Sequence, residues 1–108
     1  MKVLTLLSTS VAALAFSMPA AAQDADAAQK LLKAENCTKC HSVDKSKKGP
    51  SYQKVAAKYK GKADAMEKLK TQMTTSPKVK LEDGSEEEHK ALKDQKAMTN
   101  LIKWVLAQ

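Results

Sequence analysis

Five consecutive residues hold most of the chemistry available to this chain. Cys37-Thr38-Lys39-Cys40-His41 sets two thiols three residues apart and an imidazole directly after the second. On a helical turn, positions three apart share a face, so both sulfurs can reach the two vinyl groups of one haem. The histidine that follows can swing under the ring and give a nitrogen to the iron. C-x-x-C-H is the pattern of covalent c-type haem attachment. Other uses of these residues fit less well. A disulfide across two residues closes a loop too small to stabilise much. A thioredoxin-like redox pair needs a βαβ setting, and residues 23–108 offer no convincing period-2 strand. A zinc site built from Cys37, Cys40, His41 and His89 would force the adjacent Cys40 and His41 onto one metal, unlike the usual spaced pairs. The spacing predicts one covalent haem c with its iron, attached at Cys37 and Cys40 and ligated by His41, with a zinc-binding module as the lesser alternative.

The start of the chain places this chemistry outside the cytoplasm. Lys2 is basic, Val3 to Phe16 is mostly apolar, and Ala20-Ala21-Ala22 offers the small residues a signal peptidase reads. The apolar stretch is short for a membrane span and carries Thr5, Ser8, Thr9 and Ser10. Residues 1–22 are therefore expected to be a cleaved signal peptide, leaving 23–108 as a single exported, periplasmic domain with no membrane span. Covalent haem attachment outside the cytoplasm agrees with this. The 86 residues that remain hold 18 lysines, no arginine and 12 acidic residues, for a net charge of +6. Their aromatics are Tyr52, Tyr59 and Trp104. A domain this small has little stability to spare, so a core so poor in large apolar side chains points to a prosthetic group at its centre.

The elements that must position the motif follow from periodicity and capping signals. Asp24 and Asp26 favour a helix N-terminus, and Ala27, Ala28, Leu31, Leu32 and Ala34 carry that helix toward the motif. Val43 to Pro50, with Gly49-Pro50, reads as a loop. Ser51 can cap a helix bearing Tyr52, Val55, Ala56 and Tyr59, ended by Gly61. Ala63 to Thr74 puts Met66, Leu69 and Met73 on one stripe, stopped by Ser76-Pro77. Lys78 to Gly84 is a connector with Val79 and Leu81 inward. Ser85-Glu86-Glu87-Glu88 has the capping-box pattern and predicts a short helix presenting His89 and Leu92 together. Met98, Leu101, Ile102, Trp104 and Val105 mark a terminal amphipathic helix over about 95–107.

With these parts in place, residues 24–108 resemble the small bacterial class I cytochromes c. The resemblance rests on Cys37, Cys40, His41, Gly49, Pro50 and the closing Leu-Ile-Lys-Trp-Val-Leu-Ala-Gln around Trp104. It implies an all-α cytochrome c fold of four to five short helices around one haem, with the first and last helices crossing near it. It also implies that the Pro50 carbonyl accepts the outer ring N–H of His41. The family normally supplies a sixth iron ligand from a methionine in a Pro-rich loop some sixteen residues before the closing tryptophan. No such loop is present. His89 lies fifteen residues before Trp104, whereas Met98 lies six before it, inside the closing helix, and Met73 belongs to an earlier helix. His89 is the expected second ligand, Met73 and Met98 are its alternatives, and an open sixth position is a third possibility.

A haem held on both sides has no vacancy for substrate and suits outer-sphere electron transfer, so the expected role is that of an electron carrier and not an enzyme. An open position would instead admit small diatomic molecules or peroxide. Lys39, Lys45, Lys47, Lys48, Lys54 and Lys58 follow the attachment motif, where the resemblance places an exposed haem edge, and could steer a monomer toward acidic surfaces of redox proteins. Export, the lack of arginine forks and the absence of an aromatic stacking series argue against nucleic acid.

Overall fold

The computed structural model describes residues 23–108; the expected signal peptide, 1–22, lies outside the described residues. Four α-helices and one small hairpin follow in chain order: α1 (Ala25–Ala34), a 3-10 turn (Cys37–Lys39), α2 (Tyr52–Tyr59), α3 (Ala65–Gln72), β1 (Lys78–Lys80), β2 (Glu86–Glu88) and α4 (Gln95–Leu106). Three helices start on side-chain caps, two of them, Asp24 and Ser51, at residues expected to begin a helix. Asp24, Ser51 and Asp94 each accept a hydrogen bond from the backbone N–H three residues on, satisfying a donor that the helix itself leaves open.

The closing helix organises the core. It packs against α1, α2 and α3, and Met98, Leu101, Ile102, Trp104 and Val105 are all buried on its inner face. Ala28 and Leu32 from α1, Tyr52, Leu69 and Leu92 complete the cluster. The small Ala28 lets α1 approach α4 closely, and Leu31 joins from the edge of the cluster. Asn100 in α4 fastens the crossing: its amide donates to the Asp24 carbonyl at 2.8 Å, and its side-chain oxygen accepts from the Asp24 N–H at 2.7 Å.

Two local expectations fail. Helix α1 does not run into the attachment motif but ends at Ala34, and Asn36 turns the chain through a left-handed conformation, φ 57°, before the 3-10 turn begins. Asn is among the few non-glycine residues that take this conformation readily. The segment read as a capping-box helix is instead a strand. Glu86–Glu88 pairs antiparallel with Lys78–Lys80, which also corrects the expectation of no strand. The register sets Lys78 opposite Glu88 and Lys80 opposite Glu86, so each charged pair that flanks Val79 is of opposite sign. The Gly84 N–H donates to the Leu81 carbonyl at 3.0 Å, and Gly84 has φ +86°. That is a tight turn closed by a residue in the glycine-favouring region. Ser85 spends its hydroxyl and its N–H on the Asp83 carboxylate, so its side chain caps nothing.

Trp104 is 5% exposed and meets Tyr52 edge to face, ring centroids 5.5 Å apart. Trp104→Ala is expected to cost about 3–5 kcal/mol, the range for a buried aromatic. Thermal and denaturant melts check this, and an unchanged midpoint would mean that the α1–α4 crossing does not depend on the indole.

Candidate haem site

The attachment motif is shaped by its backbone. The Cys40 N–H and the His41 N–H both donate to the Cys37 carbonyl, at 3.2 and 3.0 Å. In the tight turn so formed, residues three apart nearly eclipse, which aligns Cys37 with Cys40 better than an α-helical turn would. Both cysteines are free and partly exposed. Burial pushes the Cys37 thiol up and the Glu35 carboxylate pushes it further, while Lys90 pulls it back.

His41 is held from several sides. Its Nδ1–H donates to the Pro50 carbonyl at 2.6 Å, the bond expected of Pro50, which leaves Nε2 as the free ring nitrogen. The Tyr52 ring stacks on the imidazole at 5.3 Å with 27° between the planes. Gly49 closes the remaining space: a Cβ there would lie 2.7 Å from His41 Cε1 and 3.1 Å from Nδ1. The loop from Ser42 to Pro50 folds back on itself through Gly49 N–H to Cys40 carbonyl, 2.8 Å, and is joined to the start of α2 by Tyr52 N–H to Ser42 carbonyl, 2.9 Å. Two of the lysines read as steering charges also serve this loop. Lys47 donates to the Thr38 carbonyl and Lys54 to the Ser46 hydroxyl, each at 2.9 Å.

His89 arrives by way of the hairpin. Its N–H donates to the Pro77 carbonyl at 2.9 Å, extending the strand pairing by one rung, and the Leu92 N–H donates to the Met73 carbonyl at 2.8 Å. The His89 ring centroid then lies 6.2 Å from that of His41. Its Nδ1–H donates to the Lys90 carbonyl at 3.0 Å, again leaving Nε2 free. Burial holds the imidazole below the usual histidine range and His41 pushes the same way, against the Lys90 hydrogen bond; the neutral form is the ligating one. The methionine alternatives stand elsewhere. Met98 is fully buried in the helical core, and Met73 ends α3 with its side chain against that core. Among the described residues no three His, Cys, Asp or Glu side chains converge as a metal cluster would require, which leaves the zinc reading without support.

These residues fit a haem. Two thiols are unpaired, two imidazoles each keep one nitrogen free, and the 6.2 Å between the imidazole centroids is a separation that two bonds of about 2 Å to one metal would span. The Tyr52 hydroxyl is buried without a partner, a polar orphan of the kind found beside functional groups. Sequence reasoning missed Tyr52 as a site residue because its spacing with Val55 and Tyr59 reads equally well as helix packing. The Gly49 contact yields a direct test: Gly49→Ala is expected to push the His41 ring off the Pro50 carbonyl, lower the melting temperature of the haem-loaded protein and perturb its absorption spectrum. An unchanged spectrum and melt would show that the loop yields without cost.

The cytochrome c family model matches residues 25–108. Cytochrome c-551 of Pseudomonas denitrificans is 40% identical over 50 residues, 46% of this chain and 61% of that protein. Cytochrome c-551 of Allochromatium vinosum is 47% identical over 51 residues, 47% of this chain and 50% of that protein. The chain thus spans between half and two thirds of the length of these curated relatives. The crystal structure of the class 1 cytochrome MtoD from Sideroxydans lithotrophicus ES-1 superposes with a TM-score of 0.77 at 52% identity, covering 80% of this chain and 97% of that one. The chain belongs to the cytochrome c family and carries one covalent haem c with its iron, for which Cys37 and Cys40 fit the attachment motif.

Proposed function

We propose that this cytochrome is an exported, periplasmic electron carrier whose haem iron would be held by His41 and His89. The observation that carries the reading is the pair of neighbouring imidazoles, 6.2 Å between centroids and tilted by 52°, each with Nδ1 engaged by a backbone carbonyl. The haem supplies a one-electron Fe(III)/Fe(II) couple. Everything else falls to the chain. Cys37 and Cys40 fix the group covalently; Pro50 and Lys90, through their carbonyls, set the tautomer in which Nε2 can ligate. The Tyr52 ring and the close Gly49 backbone restrain the His41 plane. With His41 and His89 both holding the iron, no position would be left for a substrate, so the site would suit electron transfer. Imidazole in place of the thioether that raises the potential of His–Met cytochromes gives a lower potential.

The charge distribution supports acidic partners. Residues 39–62 hold eight lysines and a single acid, Asp44, whereas the remaining exported residues are nearly balanced. All eight lysines are exposed, and Lys47 and Lys54 also brace the loop. A one-sided field of this kind raises the encounter rate with an acidic redox protein and weakens with salt. Among the described residues no helix is long and apolar enough to cross a membrane. The carrier is read as a monomer acting after removal of residues 1–22.

Two measurements test the proposal. Intact mass of the protein exported from a host competent in cytochrome c maturation is expected to equal residues 23–108 plus one haem; a haem-free product refutes the attachment, and a retained leader refutes the processing. His89→Ala is expected to convert a low-spin ferric spectrum to high-spin and to let the reduced protein bind carbon monoxide rapidly, while Met73→Leu and Met98→Leu stay low-spin. A methionine variant that loses the wild-type spectrum, with His89→Ala unchanged, would assign the sixth position to that methionine.

A further inference from the structure

Lys90, the residue after His89, reaches across to the end of α1. Its ammonium lies 3.2 Å from the carboxylate of Glu35, two residues before Cys37. Among the described residues the other ion pair, Lys68 with Asp64, lies one turn apart within a single helical segment, so Glu35–Lys90 is the one that joins distant parts of the chain. Both of its charges are near enough to Cys37 to act on that thiol in opposite senses. The pair therefore ties the segment bearing His89 to the segment that attaches the haem.

What it ties down is otherwise lightly held. Residues 89–94 have no regular secondary structure. Their fixed points are the His89 N–H on Pro77, the Leu92 N–H on Met73, the buried Leu92 side chain and the Asp94 cap of α4. Lys90 acts there twice, because its carbonyl accepts the His89 Nδ1–H while its side chain is anchored to α1. Releasing the ammonium frees the very peptide unit that orients the imidazole. Segments with few buried contacts and exposed backbone open at low free-energy cost, and a single tie across such a segment changes how often it does so.

We propose that Glu35 and Lys90 form an electrostatic latch beside Cys37, and that this latch sets how readily His89 would leave the iron. Lys90 and Glu35 are positioning residues: neither touches the iron, and each acts through the backbone that carries His89. The inference rests on the assignment of His89 as ligand. Because both partners are partly exposed, the latch is weak and sensitive to salt.

The test is the rate at which exogenous imidazole replaces the sixth ligand of the haem-loaded ferric protein, measured by stopped flow at saturating imidazole, where release of the native ligand is limiting. At low ionic strength Glu35→Gln and Lys90→Met are each expected to raise that rate about two- to five-fold, the scale of one exposed ion pair. The double variant is expected to exceed neither single one, and Lys90→Arg to retain the wild-type rate. In about 1 M salt, where the screening length is about 3 Å, wild type and variants are expected to converge. Unchanged rates in both single variants, or effects that simply add in the double variant, would overturn the latch while leaving the ligand assignment intact. A His89→Ala protein that remains low-spin would overturn the assignment, and the latch with it. Melting curves on the same proteins separate the two roles, since a merely structural pair would lower stability without a salt-dependent change in ligand release.

Discussion

The hydrogen bond from His41 Nδ1 to the Pro50 carbonyl is the contact on which the rest of the site is built. For that carbonyl to reach the ring, the chain after the motif must double back within nine residues. It does so through the Cys40–Gly49 hydrogen bond and by passing the Gly49 backbone so close to the imidazole that a side chain there would collide. Proline and serine then end the loop, and the buried Ser51 caps α2. That cap fixes where Tyr52 emerges, directly against the histidine and edge-on to Trp104. A chain of ring contacts thus runs from the ligand into α4, and α4 in turn holds α1, from whose end the motif departs. The cysteines and the histidine are adjacent in sequence, yet their mutual geometry is closed only by the far end of the chain.

His89 is held by other means. No aromatic from the helical core stacks on it, and its segment is placed by a charged hairpin whose sequence is unremarkable except for its register. Lysines on one strand meet glutamates on the other, and the turn at Gly84 fixes which residues meet. One rung beyond the hairpin the His89 amide finds Pro77, and the imidazole comes to face His41. Each pair of exposed opposite charges contributes only a few tenths of a kcal/mol to about 1 kcal/mol, so this side of the site is specified by register more than by burial.

Much of this was legible from sequence, and the divide is physical. C-x-x-C-H names its chemistry because few other uses of two thiols and an imidazole tolerate that spacing. Asp24 and Ser51 announce helices because capping is local, and the apolar period around Trp104 identifies the face that α4 buries. The hairpin was not legible. Ser85 and Glu88 satisfy the formula of a capping box, but the formula takes no account of Asp83, which claims the serine hydroxyl, or of Lys78 and Lys80, which offer the glutamates partners across a turn. Pairing between segments is invisible to a rule that looks four residues ahead. Asn36 escaped for the opposite reason: one left-handed residue ends α1 early, and the periodicity on either side of it continues undisturbed.

The two imidazoles therefore rest on supports of unequal stiffness. His41 is braced by a backbone carbonyl, an aromatic ring and a glycine contact that admits no displacement, all continuous with the buried core. His89 depends on backbone hydrogen bonds at the end of a two-stranded ribbon and on one ionic tie. Electron transfer asks that neither ligand change between oxidation states, and with His89 as the proposed second ligand a firmly held His41 and a lightly tethered His89 would meet that demand only while the tether holds. With both imidazoles as ligands, as proposed, exchange would begin at His89, because displacing His41 disrupts the core whereas displacing His89 opens a loop. On the proposed reading the charges that keep that loop closed are few, partly exposed and close to Cys37, so the ionic surroundings would act on His89 through the backbone of a single residue, Lys90.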